Sequence, residues 1–282
     1  MSRLITAAIA LPVIILSIVY PPLEMLFVAL AVAAIAVALY EFWLLGRRVG
    51  AKPDIVVGYA GAAAMLVGFF FDMPTQWPEW MVLTVIGVTA GALSAEMLRG
   101  APFDKMILSV GTTVLGVLYV AFLGGHLIAV RTGFPQTFPE LNETATLSTH
   151  LLSFFFLVLM GSDTGAYYTG RALGRHKLAP GISPGKTWEG ALGGLVASLL
   201  FAALAHFWFF RELPLPVALG LAAVMNVLGV VGDLTESALK RGAKAKDAAQ
   251  ILPGHGGLLD RLDSLLFNAP LIYYFARLYD WR

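Results

Sequence analysis

"LPVALGLAAVMNVLGVVGDLTESALKRGAKAKD", residues 215–247, joins a long apolar run to a charged run without a break. About 20 apolar residues in a helix cross a hydrocarbon core, and residues 215–236 have the length and character for that. If the helix continues into the charged run, Asp233, Glu236, Ser237, Lys240, Arg241 and Lys244 recur at helical spacing and share one stripe. The stripe starts acidic beside the membrane and turns basic beyond it. An aspartate at the centre of a spanning helix costs about 2.5–3.5 kcal/mol, and less toward the interface, so Asp233 calls for a partner. The basic residues alone have a plainer reading as anchors to anionic headgroups.

The rest of the chain repeats the apolar half of this pattern. Of 282 residues, 58% are hydrophobic and only 13% charged, and the mean hydropathy is +0.77, where a soluble domain carries about a quarter charged residues. The expectation is an all-α integral membrane protein with about nine transmembrane helices, at 4–20, 23–45, 55–71, 80–98, 105–130, 149–172, 189–210, 215–236 and 264–279. The first has a basic start and no clear cleavage site, so it reads as a retained helix rather than a signal peptide. The last is short and contains Asn268 and Pro270, which leaves a broken or re-entrant segment as the alternative. Residues 1–148 would hold about five helices and 149–282 the catalytic region.

Orientation follows from the basic residues, which accumulate on the cytoplasmic side. With a cytoplasmic N-terminus, every Lys and Arg lies on that side except Arg131, Arg211, Arg277 and Arg282. Trp77, Trp80, Trp208 and Trp281 then fall near the outer interface, and Trp43 and Trp188 near the inner one, as aromatic anchors would. The outer loops look unremarkable, and the sequon at Asn142 is too short a pattern to carry weight. A net charge of +1 gives no reason to expect nucleic-acid binding. The absence of cysteine excludes disulfides and thiolate chemistry. No internal repeat suggests the inverted halves of a secondary transporter.

Two long polar segments remain, 171–188 and 237–263, both cytoplasmic in this arrangement. The first contains "SPGKTWEG" (183–190), in which Ser183 and Lys186 offer donors to phosphate; Pro180 stands where a P-loop needs glycine, so an NTPase loop is excluded. Before it, "GSDTGAY" (161–167) sets Asp163 among small residues at a helix end. The second ends in "ILPGHGGLLDRLDS" (251–264): Gly254, Gly256 and Gly257 permit close backbone approach, and Asp260 and Asp263 neighbour each other on a helical turn. Carboxylates of this kind suit Mg²⁺, which binds through one or two of them plus substrate phosphates, and Arg261 suits a phosphate. His255 has no second His or Cys nearby in sequence to make a zinc site.

From Ser237 to Asp263 the chain, "SALKRGAKAKDAAQILPGHGGLLDRLD", resembles the signature of the phosphatidate cytidylyltransferases, or CDP-diacylglycerol synthases. Ser237, Lys240, Arg241, Lys246, Asp247, His255, Gly256, Gly257, Asp260, Arg261 and Asp263 carry the match, and the resemblance extends over roughly 160–264. It implies condensation of CTP with phosphatidic acid at the cytoplasmic face of the inner membrane. It further implies Asp233 and Asp260 as chief metal ligands, with Asp163 and Asp263 serving a second cation or its outer shell. Mg²⁺ is the implied cofactor, with a cation such as K⁺ as a second occupant. Lys186, Lys240, Arg241, Lys246, Arg261 and His255 would contact phosphates, and the family suggests a homodimer. A lipid or polyprenol kinase is the nearer rival and a secondary transporter the rival of another class. The D-G-x-x-A-R pattern of a CDP-alcohol phosphatidyltransferase is absent.

Overall fold

The computed structural model describes residues 12–137, 145–246, 248 and 257–281. Each of the nine expected segments is helical within them: α1 (12–19), α2 (Glu24–Arg48), α3 (Ile55–Phe70), α4 (Pro78–Arg99), α5 (Met106–Gly133), α6 (Leu147–Leu173), α7 (Trp188–Trp208), α8 (Leu215–Gly242) and α9 (Leu259–Leu278). Residues 4–11 of the expected first helix lie outside the described residues. Among the described residues, six helices are long and apolar enough to cross a membrane: Pro21–Arg48, which contains α2, and α4, α5, α6, α7 and α8. With that apolarity, the protein is a multi-pass, almost wholly α-helical membrane protein. Helix α3 is shorter, at 16 residues, and α9 carries Asp260, Arg261 and Asp263 in its first turns.

Local chemistry sets the helix starts. Asp54 accepts from the Val57 N–H (2.9 Å) to open α3, Thr146 from Thr149 (3.3 Å) to open α6, and Thr187 from Gly190 (3.1 Å) to open α7. Basic residues stand in the last turns of α2 and α8, where the helix dipole favours them. The core gathers Leu39, Trp43, Met65, Phe69, Phe154, Phe155 and Tyr273, all fully buried. Helix α9 packs against α8, α5 and α2, so the two halves of the chain share one interior.

Three expectations change, and one alternative falls away. Helix α9 is continuous through Pro270 rather than broken, and Asn268 within it donates to the Ser264 carbonyl at 2.9 Å. Helix α8 stops at Gly242, and Lys244 turns the chain with φ of 51°, so Lys244 leaves the stripe. Trp43 is no interfacial anchor: it is fully buried, set edge-on to Tyr59 at 5.0 Å, with Gly58 and Gly116 leaving room for its ring.

The turn after α3 is also more than a plain loop. Asp72, with φ of 55°, is buried there and accepts from Tyr273 Oη (2.6 Å) and Thr75 Oγ1 (2.8 Å), and it pairs with Arg277. It therefore clasps α3 to the far end of α9.

Candidate active site

The polar loop between α6 and α7 folds as a small antiparallel hairpin, β1 (Lys177–Ala179) and β2 (Ser183–Thr187), pairing Lys177 with Thr187 and Ala179 with Ser183. It is the one strand pair among the described residues, and it departs from an all-helical expectation. Proline and glycine in 180–185 forbid a helix, and the tight α6–α7 packing beneath leaves a short span to bridge. That packing depends on small residues: a Cβ at Gly165 would stand 2.8 Å from the Gly193 carbonyl oxygen, and one at Gly190 3.1 Å from that of Ala166.

The hairpin overhangs a cavity of about 500 Å³ lined by Asp163, Tyr167 and Arg171 of α6, Ser183 and Lys186 of β2, Asp233 of α8, and Asp260, Asp263 and Ser264 of α9. Six residues singled out in the sequence for metal or phosphate, Asp163, Ser183, Lys186, Asp233, Asp260 and Asp263, therefore meet at one place. Gly232 allows this on the α8–α9 side, because a Cβ there would lie 2.4 Å from the Asp263 carbonyl oxygen.

Each chief aspartate has a cationic partner. Lys186 pairs with Asp233, whose other oxygen lies 3.5 Å from Ser237 Oγ. Lys240 bridges α8 and α9, 2.7 Å from Asp260 and 2.5 Å from the buried Glu236 one turn away. The second Asp260 oxygen accepts from the backbone of Gly257 (3.0 Å) and Ala248 (3.4 Å). Asp263 accepts from its own neighbour, Ser264 N–H, at 2.7 Å. Asp233 and Asp260 line the same cavity but are tied to different lysines.

Other candidates sit further out. Arg241 Nε donates to the Ile182 carbonyl at 3.2 Å, anchoring the hairpin turn to the end of α8. Arg261 and Lys246 are exposed. Asp247, His255 and Gly256, with the neighbouring Gly254, lie outside the described residues. Two residues belong to the site that the sequence reading left out of it. Glu236 is buried against Lys240, and Arg171 lines the cavity on the stripe that holds Asp163 and Tyr167, with a guanidinium nitrogen 3.3 Å from the Tyr167 hydroxyl. The four- and eight-residue spacing from Asp163 was the signal for Arg171.

The donor set is one of hard oxygens, which suits Mg²⁺. Among the described residues, no three His, Cys, Asp or Glu form a group able to hold a metal alone. Such a set fits an ion whose remaining ligands come from a bound phosphate.

A model of the cytidylyltransferase family matches residues 1–279. The chain is 31% identical over 291 residues to a phosphatidate cytidylyltransferase of Bacillus subtilis (strain 168), covering 99% of this chain and 98% of that protein. A phosphatidate cytidylyltransferase of a Synechocystis species is 33% identical over 86% of this chain and 87% of its own. One from Haemophilus influenzae is 45% identical over 44% of this chain and 45% of its own. None of these relatives is a kinase or a transporter.

Proposed function

Because this chain belongs to the cytidylyltransferase family, we propose that it is the enzyme that condenses CTP with phosphatidic acid, forming CDP-diacylglycerol and pyrophosphate. The observation that carries this is the cavity itself, where four aspartates, Arg171 and Lys186 converge at the polar ends of apolar helices. Such a place admits a charged headgroup and a nucleotide while acyl chains remain in lipid.

In the reaction, an oxygen of the lipid phosphate bonds to the α-phosphorus of CTP, and the bond from that phosphorus to the β-phosphate bridging oxygen breaks. The substrate is its own nucleophile, so no residue needs to form a covalent intermediate. The protein's task is to position two anions and to stabilise charge on the pentacoordinate transition state. Lys186 and Lys240 turn from Asp233 and Asp260 toward phosphates when substrates enter. Arg171, Arg241, Arg261 and Lys246 add positive charge around the mouth, and Ser183 and Ser237 offer hydroxyl donors. Asp233 and Asp260 would hold Mg²⁺, with Asp163 and Asp263 at its margin or at a second cation such as K⁺. Mg²⁺ bound there supplies neutralisation of phosphate charge.

The same reading sets nine spans with a cytoplasmic N-terminus in the inner membrane, the site facing the cytoplasm, and two chains associating as a homodimer. The biased placement of Lys and Arg supports the orientation. The test is product formation by purified protein in mixed micelles of phosphatidic acid, with CTP and Mg²⁺. CDP-diacylglycerol is expected, and its absence across lipid and ion concentrations rejects the proposal.

A further inference from the structure

The acidic wall of the cavity is borne by the first turns of α9, and the start of that helix is held by a residue from the opposite end of the chain. Glu41, on α2, is fully buried, and its Oε2 accepts the Leu259 N–H at 2.7 Å, across 218 residues of sequence. The helix has no side-chain cap of its own: Leu258 occupies the N-cap position and offers no acceptor. Glu41 supplies that acceptor from outside, and the positive end of the α9 dipole favours its charge. Its other oxygen, Oε1, is also buried and meets no donor among the described residues. Burying a carboxylate is costly, and the Leu259 N–H offsets part of that cost.

Glu41 and Asp260 close on the same glycine. A Cβ at Gly257 would stand 3.0 Å from Glu41 Oε2 and 2.9 Å from Asp260 Oδ2. The Gly257 N–H donates to Asp260 and the Leu259 N–H, two residues on, to Glu41. The two carboxylates thus pin successive parts of the turn that leads into α9.

We infer that Glu41 is a positioning residue for the reaction: by capping α9 from α2, it fixes where Asp260 and Asp263 stand in the cavity. Its catalytic consequence rests on the functional reading above, whereas the positioning itself does not. Groups that orient ligand-bearing residues change activity by about 10–100-fold when removed.

The experiment compares Glu41→Leu, which removes the acceptor, with Glu41→Gln, which keeps an acceptor oxygen, in purified full-length protein. Amide hydrogen exchange over residues 257–262 is read first, without substrate. Glu41→Leu should lose protection there while α6 and α7 keep theirs, and Glu41→Gln should retain it. With substrates, Glu41→Leu should lower kcat about 10–100-fold and raise the Mg²⁺ concentration for half-maximal rate, with KM for the lipid little changed. Glu41→Gln should recover most of both.

Wild-type protection in Glu41→Leu overturns the inference, as does a Glu41→Gln protein equally defective. Loss of activity only in proportion to loss of folded protein, with unchanged Mg²⁺ dependence, also overturns it. If Glu41→Leu does not fold, Gly257→Ala carries the test, because its methyl group must displace the Glu41 or Asp260 carboxylate. Full protection and turnover in that variant would then refute the role. A wild-type protein that makes no CDP-lipid would defeat the functional reading alone, since the exchange result stands without it.

Discussion

Replacing Lys240 with methionine keeps the length of the side chain and removes an ammonium shared by Glu236 and Asp260. Their side chains are 1% and 17% exposed, and that of Lys240 is 15% exposed, so solvent takes over little of its role. Breaking a buried pair by removing one partner costs about 3–5 kcal/mol; the partial exposure of Lys240 and Asp260 places this case near about 3 kcal/mol. In a chain of this size each kcal/mol moves the midpoint by about 2–4 °C, so melting should fall by about 6–12 °C. Adding Glu236→Gln removes one of the two stranded charges and should restore roughly half of the loss. Turnover should stay low in both proteins, because Asp260 has lost the lysine beside it. The assay is fluorescence-monitored melting in detergent at one scan rate, with CDP-lipid formation measured on the same samples. A single variant that melts at the parent temperature, or a double variant no more stable than the single, refutes the shared-lysine account.

Two further substitutions separate the site from the scaffold. Asp233→Asn should cut turnover on the order of 100-fold while the protein stays folded, whereas Asp104→Asn, in an exposed turn before α5, should leave it unchanged; rate assays beside gel-filtration profiles check both. At the far end of α9, Asp72→Asn should weaken the bonds from Tyr273, Thr75 and Arg277 and lower stability by about 2 kcal/mol. Its turnover per folded molecule, measured below the melting range, should match the parent.

The helices were legible because a bilayer demands long apolar runs, and 215–247 showed both the run and the charged stripe at its end. That stripe and the paired spacing of Asp260 and Asp263 also pointed to oxygen-ligand and phosphate chemistry before any geometry was known. Partner choice was not legible. Spacing sets Glu236 one turn from Lys240, but it shows neither that α9 brings Asp260 to the same lysine nor that Lys186 of the hairpin takes Asp233. Glu41 lies inside an apolar run with no motif around it, and its partner is a backbone N–H that no residue type announces.

Trp43 and Asp72 misled for a related reason. Each sits where a boundary residue would, and burial there is decided by neighbours distant in sequence: Gly116 for the tryptophan, Tyr273 and Arg277 for the aspartate. The hairpin at 177–187 was visible as a helix-breaking stretch, but proline and glycine say what a segment cannot be more readily than what it becomes.

The central claim is that the lipid phosphate displaces pyrophosphate from CTP in the cavity of Asp163, Lys186, Asp233, Asp260 and Asp263. Parallel reactions with CTP labelled at the α- or at the γ-phosphate, in phosphatidic acid micelles with Mg²⁺, test it most directly. The account predicts that α-label enters the lipid product and γ-label leaves as pyrophosphate. Transfer of γ-label to lipid, or no α-label in lipid at any substrate concentration, would contradict it.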